Sequence, residues 1–98
     1  MMFHVVVDKM QSGKSAVAVF TDADGAKVFV ADKSMGMTDI EEHPVFGDYE
    51  PGKEVMAAHR YRRGYDIHWL VGLFADYAEA EEVAGEDGQV TGHQPDSR

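Results

Sequence analysis

Eight carboxylates, Asp66, Asp76, Glu79, Glu81, Glu82, Glu86, Asp87 and Asp96, lie between Gly64 and Ser97 with no lysine or arginine among them. Acids without neighbouring bases face water, pair with a distant basic patch, or engage a cationic partner. A second acidic segment sets Asp39, Glu41, Glu42, Asp48, Glu50 and Glu54 against Lys53 alone. The one basic cluster is Arg60, Arg62 and Arg63, interleaved with Tyr61. It fits either a phosphate or acidic partner, or internal pairing with the chain's own acids. General acid–base work needs two carboxylates that converge in a cleft. The adjacent pairs Glu41-Glu42 and Glu81-Glu82 diverge instead, so no catalytic residue is assigned and the protein is expected not to be an enzyme.

Other chemistry-bearing patterns are weaker. Asp8 to Ser15 ends in Gly-Lys-Ser and resembles a phosphate-binding P-loop whose first glycine is Asp8. A carboxylate there would repel phosphate, and the strand character of Ala16 to Thr21 contradicts the helix that must follow, so a hairpin loop is expected. Asp22, Asp24 and Gly25 are too short a run for an EF-hand. None of the five histidines makes a helical metal pair, and His59, Asp66 and His68 are the one group close in sequence. Without cysteine there is no thiolate nucleophile and no disulfide. No metal or cofactor is expected.

The elements that must position these side chains read as follows. Phe3 to Lys9, Ser15 to Thr21 and Lys27 to Ala31 are β-rich runs, and Asp24-Gly25 between the last two signals a hairpin. The first third is thus expected to be a three-stranded antiparallel meander. Thr38-Asp39-Ile40-Glu41 fits a capping box for one helical turn, ended by Pro44. Lys53 to Arg63 fits a helix between Pro51 and Gly64 slightly better than a strand, although Val55, Ala57, His59 and Tyr61 alternate. Ile67 to Phe74 suits a buried strand or a buried helix. Ala75 to Gly85 is the clearest helix, with Leu73, Tyr77, Ala80 and Ala84 as its apolar stripe and Asp76, Glu79, Glu82 and Glu86 beside it. No internal repeat is evident. The expected fold class is α+β: a small antiparallel sheet, with room for a fourth strand at 67–74, packed on one or two helices. Residues 1–85 form the domain and 86–98 a polar, extended or mobile tail.

A chain of 98 residues holds one core. Its formal charge of −9 disfavours direct contact with nucleic acid, whose backbone is bound by clustered Lys and Arg. The apolar run from Trp69 to Ala75 is far below the roughly 18 residues of a membrane helix. Absent disulfides and no signal-peptide pattern at the start point to a cytoplasmic protein.

These features suggest a small non-enzymatic binding protein. Its acids, Asp76, Glu79, Glu82 and Glu86 together with Asp39, Glu41, Glu42, Asp48 and Glu50, would occupy the basic, nucleic-acid-binding surface of a partner protein. The helix alone is too sparse to imitate a duplex: over ~15 Å it carries four acids where DNA carries about nine charges. The second acidic segment must therefore join it. Small, cysteine-free, acidic α+β proteins of phages and mobile elements, many anti-CRISPR proteins among them, are similar in size and charge, though no motif here carries that likeness. Two alternatives stand beside this reading. One is a structural or self-associating module, monomer or homodimer, built on Trp69, Leu70, Leu73 and Phe74. The other is a small metal protein or enzyme using His59, Asp66 and His68.

Overall fold

Strands β1 (Met2–Asp8) and β2 (Gly13–Phe20) form an antiparallel hairpin in a computed structural model that describes residues 2–9, 13–33, 37–62, 64 and 67–97. The hairpin is bulged. Val6 pairs with Ala18 and Val7 with Ala16, which leaves Val17 as the extra, exposed residue. A bulge shifts the facing of a strand by one residue. Ala16 and Val19 therefore turn inward with Phe3, Val5 and Val7, while Ala18 and Phe20 face the other way with Val6.

The chain then enters a helix, α1 (Ala23–Asp32), not the strand expected at 27–31. Asp22 explains the difference. Its carboxylate accepts the Gly25 amide at 2.6 Å and caps the helix, so Asp24-Gly25 is a first helical turn and not a hairpin turn. Ala26, Phe29 and Val30, at helical spacing, pack on Val6, Ala18 and Phe20. Thr38 to Glu41, expected as a helical turn, instead opens strand β3 (Thr38–Phe46), which runs antiparallel to β1 along its length. Val55–Arg62 is strand β4, so the helix favoured for 53–63 is also corrected. Alternation of Val55, Ala57 and His59, all buried, outweighs the good helix formers there. Ile67–Phe74 is strand β5, antiparallel to β4 and again bulged, with Ala58 opposite Gly72 and His59 opposite Leu70. The expected acidic helix exists as α2 (Tyr77–Ala84), capped by Asp76. Gln89–His93, placed in the polar tail by sequence, forms strand β6 on β4.

The fold class is thus corrected. Among the described residues, six strands in the order β2-β1-β3-β5-β4-β6 make one mixed, nearly closed, barrel-like sheet with two helices outside, rather than a small antiparallel sheet on helices. Closure comes from β5, which pairs in parallel with β2 at one end (Gly13 with His68, Lys14 with Trp69) and with β3 at the other (Val45 with Leu73, Phe46 with Phe74). The interior holds Phe3, Val5, Val7, Ala16, Val19, Val55, Ala57, Leu70 and Leu73. Two smaller clusters lie between sheet and helix, one under α1 and one under α2, where Ala80 and Ala84 meet Ala58 and Phe74.

The topology also overturns the absence of a repeat. The order β-β-α-β occurs twice, and in each unit the first strand pairs antiparallel with the second and the third. Val17, Phe20, Asp22 and Ala26 recur as Val71, Phe74, Asp76 and Ala80, each 54 residues on and each in the same role. The last strands correspond too. His43 contacts Glu41 at 3.0 Å, and His93, its counterpart, contacts Thr91 at 2.7 Å. At the end of β3 the Ala75 amide bonds the Phe46 carbonyl. At the matching place the Thr21 amide bonds Asp96 Oδ1, the Thr21 hydroxyl bonds Asp96 Oδ2, and the Asp96 amide bonds Val19 O, each at 2.9 Å. Asp96 therefore latches the chain's end to β2, with its own backbone at φ 61°. Replacing Asp96 by alanine is expected to lower stability by about 1–2 kcal/mol and to speed amide exchange at Thr21. Urea unfolding and hydrogen exchange check this, and an unchanged midpoint would show that the barrel closes without the latch.

Candidate functional site

The acidic surface centres on α2. Asp76 is committed to capping it, its carboxylate accepting the Ala78 amide at 3.3 Å. Glu79, Glu81 and Glu82 are exposed, and Glu86 is exposed in the turn that follows. Carboxylates favour a helix N-terminus and are disfavoured at the C-terminus by a few tenths to ~1 kcal/mol each. Glu81, Glu82 and Glu86 occupy the unfavourable end, and no base stands in the last turn of α2. Arg60 supplies the compensation from outside: its Nε donates to Val83 O at 2.8 Å. Arg60 is thus engaged internally, on a main-chain carbonyl at the C-terminal end of α2 rather than on an acid. Arg63 lies outside the described residues.

Glu81, Glu82 and Glu86 rim an open depression of about 460 Å³ floored by Gly85 and Gly88. Glycine is needed at 88 because a Cβ there would overlap the carbonyl oxygens of Ala84 and His59. Tyr77 stands one turn before Glu81, and its hydrogen bond to that carboxylate pushes the phenol pKa up. The depression thus offers three carboxylates and no side chain of its own bulk, dimensions that accept one long cationic side chain.

The two acidic segments approach each other at Gly47. Gly47, at φ 94°, ends β3, and Glu79 Oε2 lies 3.3 Å from where its Cβ would stand. Asp48 is the next residue in sequence, and Glu50 follows in the same exposed loop. The other acids named from sequence are spent elsewhere. Asp39 pairs with Lys9 at 2.8 Å, Glu41 with His43, and Glu42 lies 4.0 Å from His4.

The histidine alternative does not converge. Asp66 lies outside the described residues, and among the described residues no three His, Cys, Asp or Glu side chains cluster to hold a metal. His68 stacks on Tyr61 with ring centroids 4.8 Å apart. His59 is 1% exposed and points into the barrel, where Nε2 accepts the Ala16 amide at 3.0 Å and Nδ1 faces Gln89 O at 3.3 Å. Nε2 as acceptor requires a neutral ring with its proton on Nδ1. Nor does Lys14 sit in a P-loop: Gly13 to Phe20 is strand throughout, and Met10 to Ser12 lie outside the described residues. Among the described residues no helix is long and apolar enough to cross a membrane. No protein-family model, curated protein or solved structure matches the chain.

Sequence reasoning missed the structural importance of His59, whose signal was its place in the alternating run Val55, Ala57, His59. Burial holds its pKa below the ordinary histidine value of 6.5, and the same desolvation lowers His93. The unfolded chain then binds protons that the folded chain refuses, so stability rises with pH across the window below 6.5. Stability is expected to be full above pH 6.5 and to fall from there towards pH 5.5, before the carboxylates titrate. His59→Gln, which keeps an acceptor for the Ala16 amide without titrating, is expected to reduce that slope. Urea midpoints measured from pH 7.5 to 5.5 test it, and equal slopes for both proteins would remove His59 from the account.

Proposed function

We propose that the protein is a non-enzymatic acidic ligand for a basic, nucleic-acid-binding surface on a partner protein, acting as an inhibitor by nucleic-acid mimicry. The observation that carries this reading is the approach of Glu79 to Gly47, its Oε2 3.3 Å from where a Cβ on Gly47 would stand. It brings an acid of α2 to the start of the loop that carries Asp48 and Glu50, as a surface denser than one helix requires. The effective set is Asp48, Glu50, Glu79, Glu82 and Glu86, with Glu81 added by the depression. Asp39 and Glu41 fall out of it because each already has a cation or imidazole, and Asp76 because it caps the helix.

Placement against the helix dipole supports the same reading. Acids that served solubility alone would cost nothing at the N-terminal end of α2, where Glu79 stands, whereas Glu81, Glu82 and Glu86 stand at its C-terminal end, where they lower stability. In the proposed complex an arginine or lysine of the partner enters the depression between Glu82 and Glu86, and neighbouring bases meet Glu79 and Asp48. The partner is a nucleic-acid-binding protein, and the complex forms in competition with its DNA or RNA.

Affinity capture from lysate at low and high salt identifies the partner, and displacement of labelled nucleic acid measures competition. Asp48→Asn, Glu79→Gln, Glu82→Gln and Glu86→Gln combined are expected to weaken binding at least ~100-fold, at roughly 1 kcal/mol per contact, and to flatten its salt dependence. The same four neutralisations should leave the fold intact, because Glu82 and Glu86 lie against the helix dipole and only Glu79 lies with it. Unchanged affinity and salt slope would sink the proposal.

A further inference from the structure

Helices α1 and α2 cover parts of the barrel's outer face, and β3 runs between those parts. The clusters under the two helices contain no residue of this strand. Its outward positions are Ile40, Glu42, Pro44 and Phe46, all exposed, while Val45 packs on the interior. Met2 lies opposite Pro44 on β1 and is 45% exposed. Met2, Pro44 and Phe46 therefore form an apolar strip across two neighbouring strands, with the Glu42 carboxylate next along β3.

Phe46 ends the strip beside α2. Its ring lies over Gly72, 3.6 Å from where a Cβ would stand, and against Phe74 with centroids 5.5 Å apart and planes 35° from parallel. Phe74 is itself buried under α2. The Ala75 amide donates to the Phe46 carbonyl at 2.9 Å, so the backbone that carries the ring is held as well. Even so, 52% of Phe46 stays open to solvent. Acids stand at the same place. Gly47 follows Phe46 directly and has the Glu79 carboxylate against it, and exposed Asp48 comes next. Phe46 is thus a fixed, half-open aromatic ring at the border between an apolar strip and a group of carboxylates.

We infer that Phe46 is a platform for an arginine of the partner protein, whose guanidinium lies on the exposed ring next to the carboxylates of Glu79 and Asp48. The inference rests on the reading of this surface as a docking face for a basic partner; it adds the apolar half of that face and the type of cation. Arginine is favoured over lysine because its planar, weakly hydrated guanidinium stacks on aromatic faces and forks carboxylates, whereas an ammonium keeps its water. Aromatic residues and arginine are also the types enriched at protein interfaces. A second copy of the chain is disfavoured as the occupant. Its charge of −9 would bring Glu42, Asp48 and Glu79 of one copy onto the like-charged face of the other.

Titration of the 15N-labelled full chain with nona-arginine and nona-lysine, two peptides of equal side-chain charge, tests the platform at physiological ionic strength. Nona-arginine is expected to give saturable shifts at the Phe46 and Gly47 amides and to bind the tighter of the two. Phe46→Leu keeps an apolar cover over Gly72 and Phe74 without a π face. It is expected to weaken nona-arginine about 2- to 5-fold, the worth of one exposed cation–π contact, and to leave nona-lysine unchanged. Phe46→Trp, with the stronger π face, is expected to tighten nona-arginine. Nona-arginine affinity indifferent to both substitutions, or lost equally with that of nona-lysine, would overturn the inference. The docking reading would survive that result if neutralising Asp48, Glu79, Glu82 and Glu86 still released both peptides. Peptides that bound the neutralised protein equally well would sink the docking reading, and the platform with it. A dimer in sedimentation equilibrium that Phe46→Leu abolished would also overturn the inference, by assigning the strip to a second copy.

Discussion

A neutral imidazole in the barrel interior ties the two halves of this protein together. Ala16, on β2, belongs to the first β-β-α-β unit, while His59 on β4 and Gln89 on β6 belong to the second. The β1–β2 hairpin bulges at Val17, and the Ala16 amide is directed inward to His59 Nε2. A buried amide left without an acceptor costs about 1–3 kcal/mol, a large share of the margin of a domain this size. Val7, the counterpart of His59 in the first unit, has no acceptor to offer in return. The tie is therefore one-sided, and it works only while the ring is uncharged. Among the described residues no buried side-chain nitrogen or oxygen lacks a partner, so this histidine is a satisfied structural group rather than a spare catalytic one.

Around that tie the repeat economises on design. The same bulged hairpin, the same Asp cap and the same alanine under the helix serve twice, at Val17, Asp22 and Ala26 and at Val71, Asp76 and Ala80. Helices of ten and eight residues are too short to persist alone. Each is held by its cap and by small residues that let it lie close on the sheet. Because the frame is duplicated, the departures from symmetry stand out. Asp96 replaces a backbone acceptor and the ring of Phe46, and His59 replaces Val7. Glu79 and Glu82 replace the milder surface of α1, where Gly25 and Val28 stand in their places.

Much of this was legible in the residues, but some cues competed. The stretch V-A-V-F-T-D-A-D-G-A and the stretch V-G-L-F-A-D-Y-A-E-A share valine, phenylalanine, aspartate and alanine at fixed places. Aligning them would have revealed the repeat and, with it, that Asp22 caps a helix as Asp76 does. Asp24-Gly25 instead resembled a hairpin turn, because the pair suits both a type I′ turn and the second and third residues of a helix. The spacing of Ala26, Phe29 and Val30 was the cue that discriminated. At 55–62 the good helix formers competed with alternation, and alternation won because one face lines the barrel. The acids and the clear helix at α2 needed only local pattern. The join between Glu79 and Gly47 did not, since it depends on a parallel pairing of β3 with β5 that no local pattern encodes.

The electrostatics of α2 then decide what kind of surface this frame presents. A helix whose acids crowd its C-terminal half would fray, were it not for the Arg60 guanidinium on the Val83 carbonyl and the Asp76 cap at the other end. Arg60 is therefore drawn towards the helix backbone and is less available to the carboxylates beside it. The consequence is a surface on which Arg60 is spent on a main-chain carbonyl while, among the described residues, Glu82 and Glu86 make no ion pair. Screening over a Debye length of about 8 Å at physiological ionic strength weakens any help from more distant bases such as Lys9, already on Asp39. Placing Arg60 on a carbonyl keeps the helix folded without neutralising its outer face, and that separation lets the acids remain displayed at no further loss of fold.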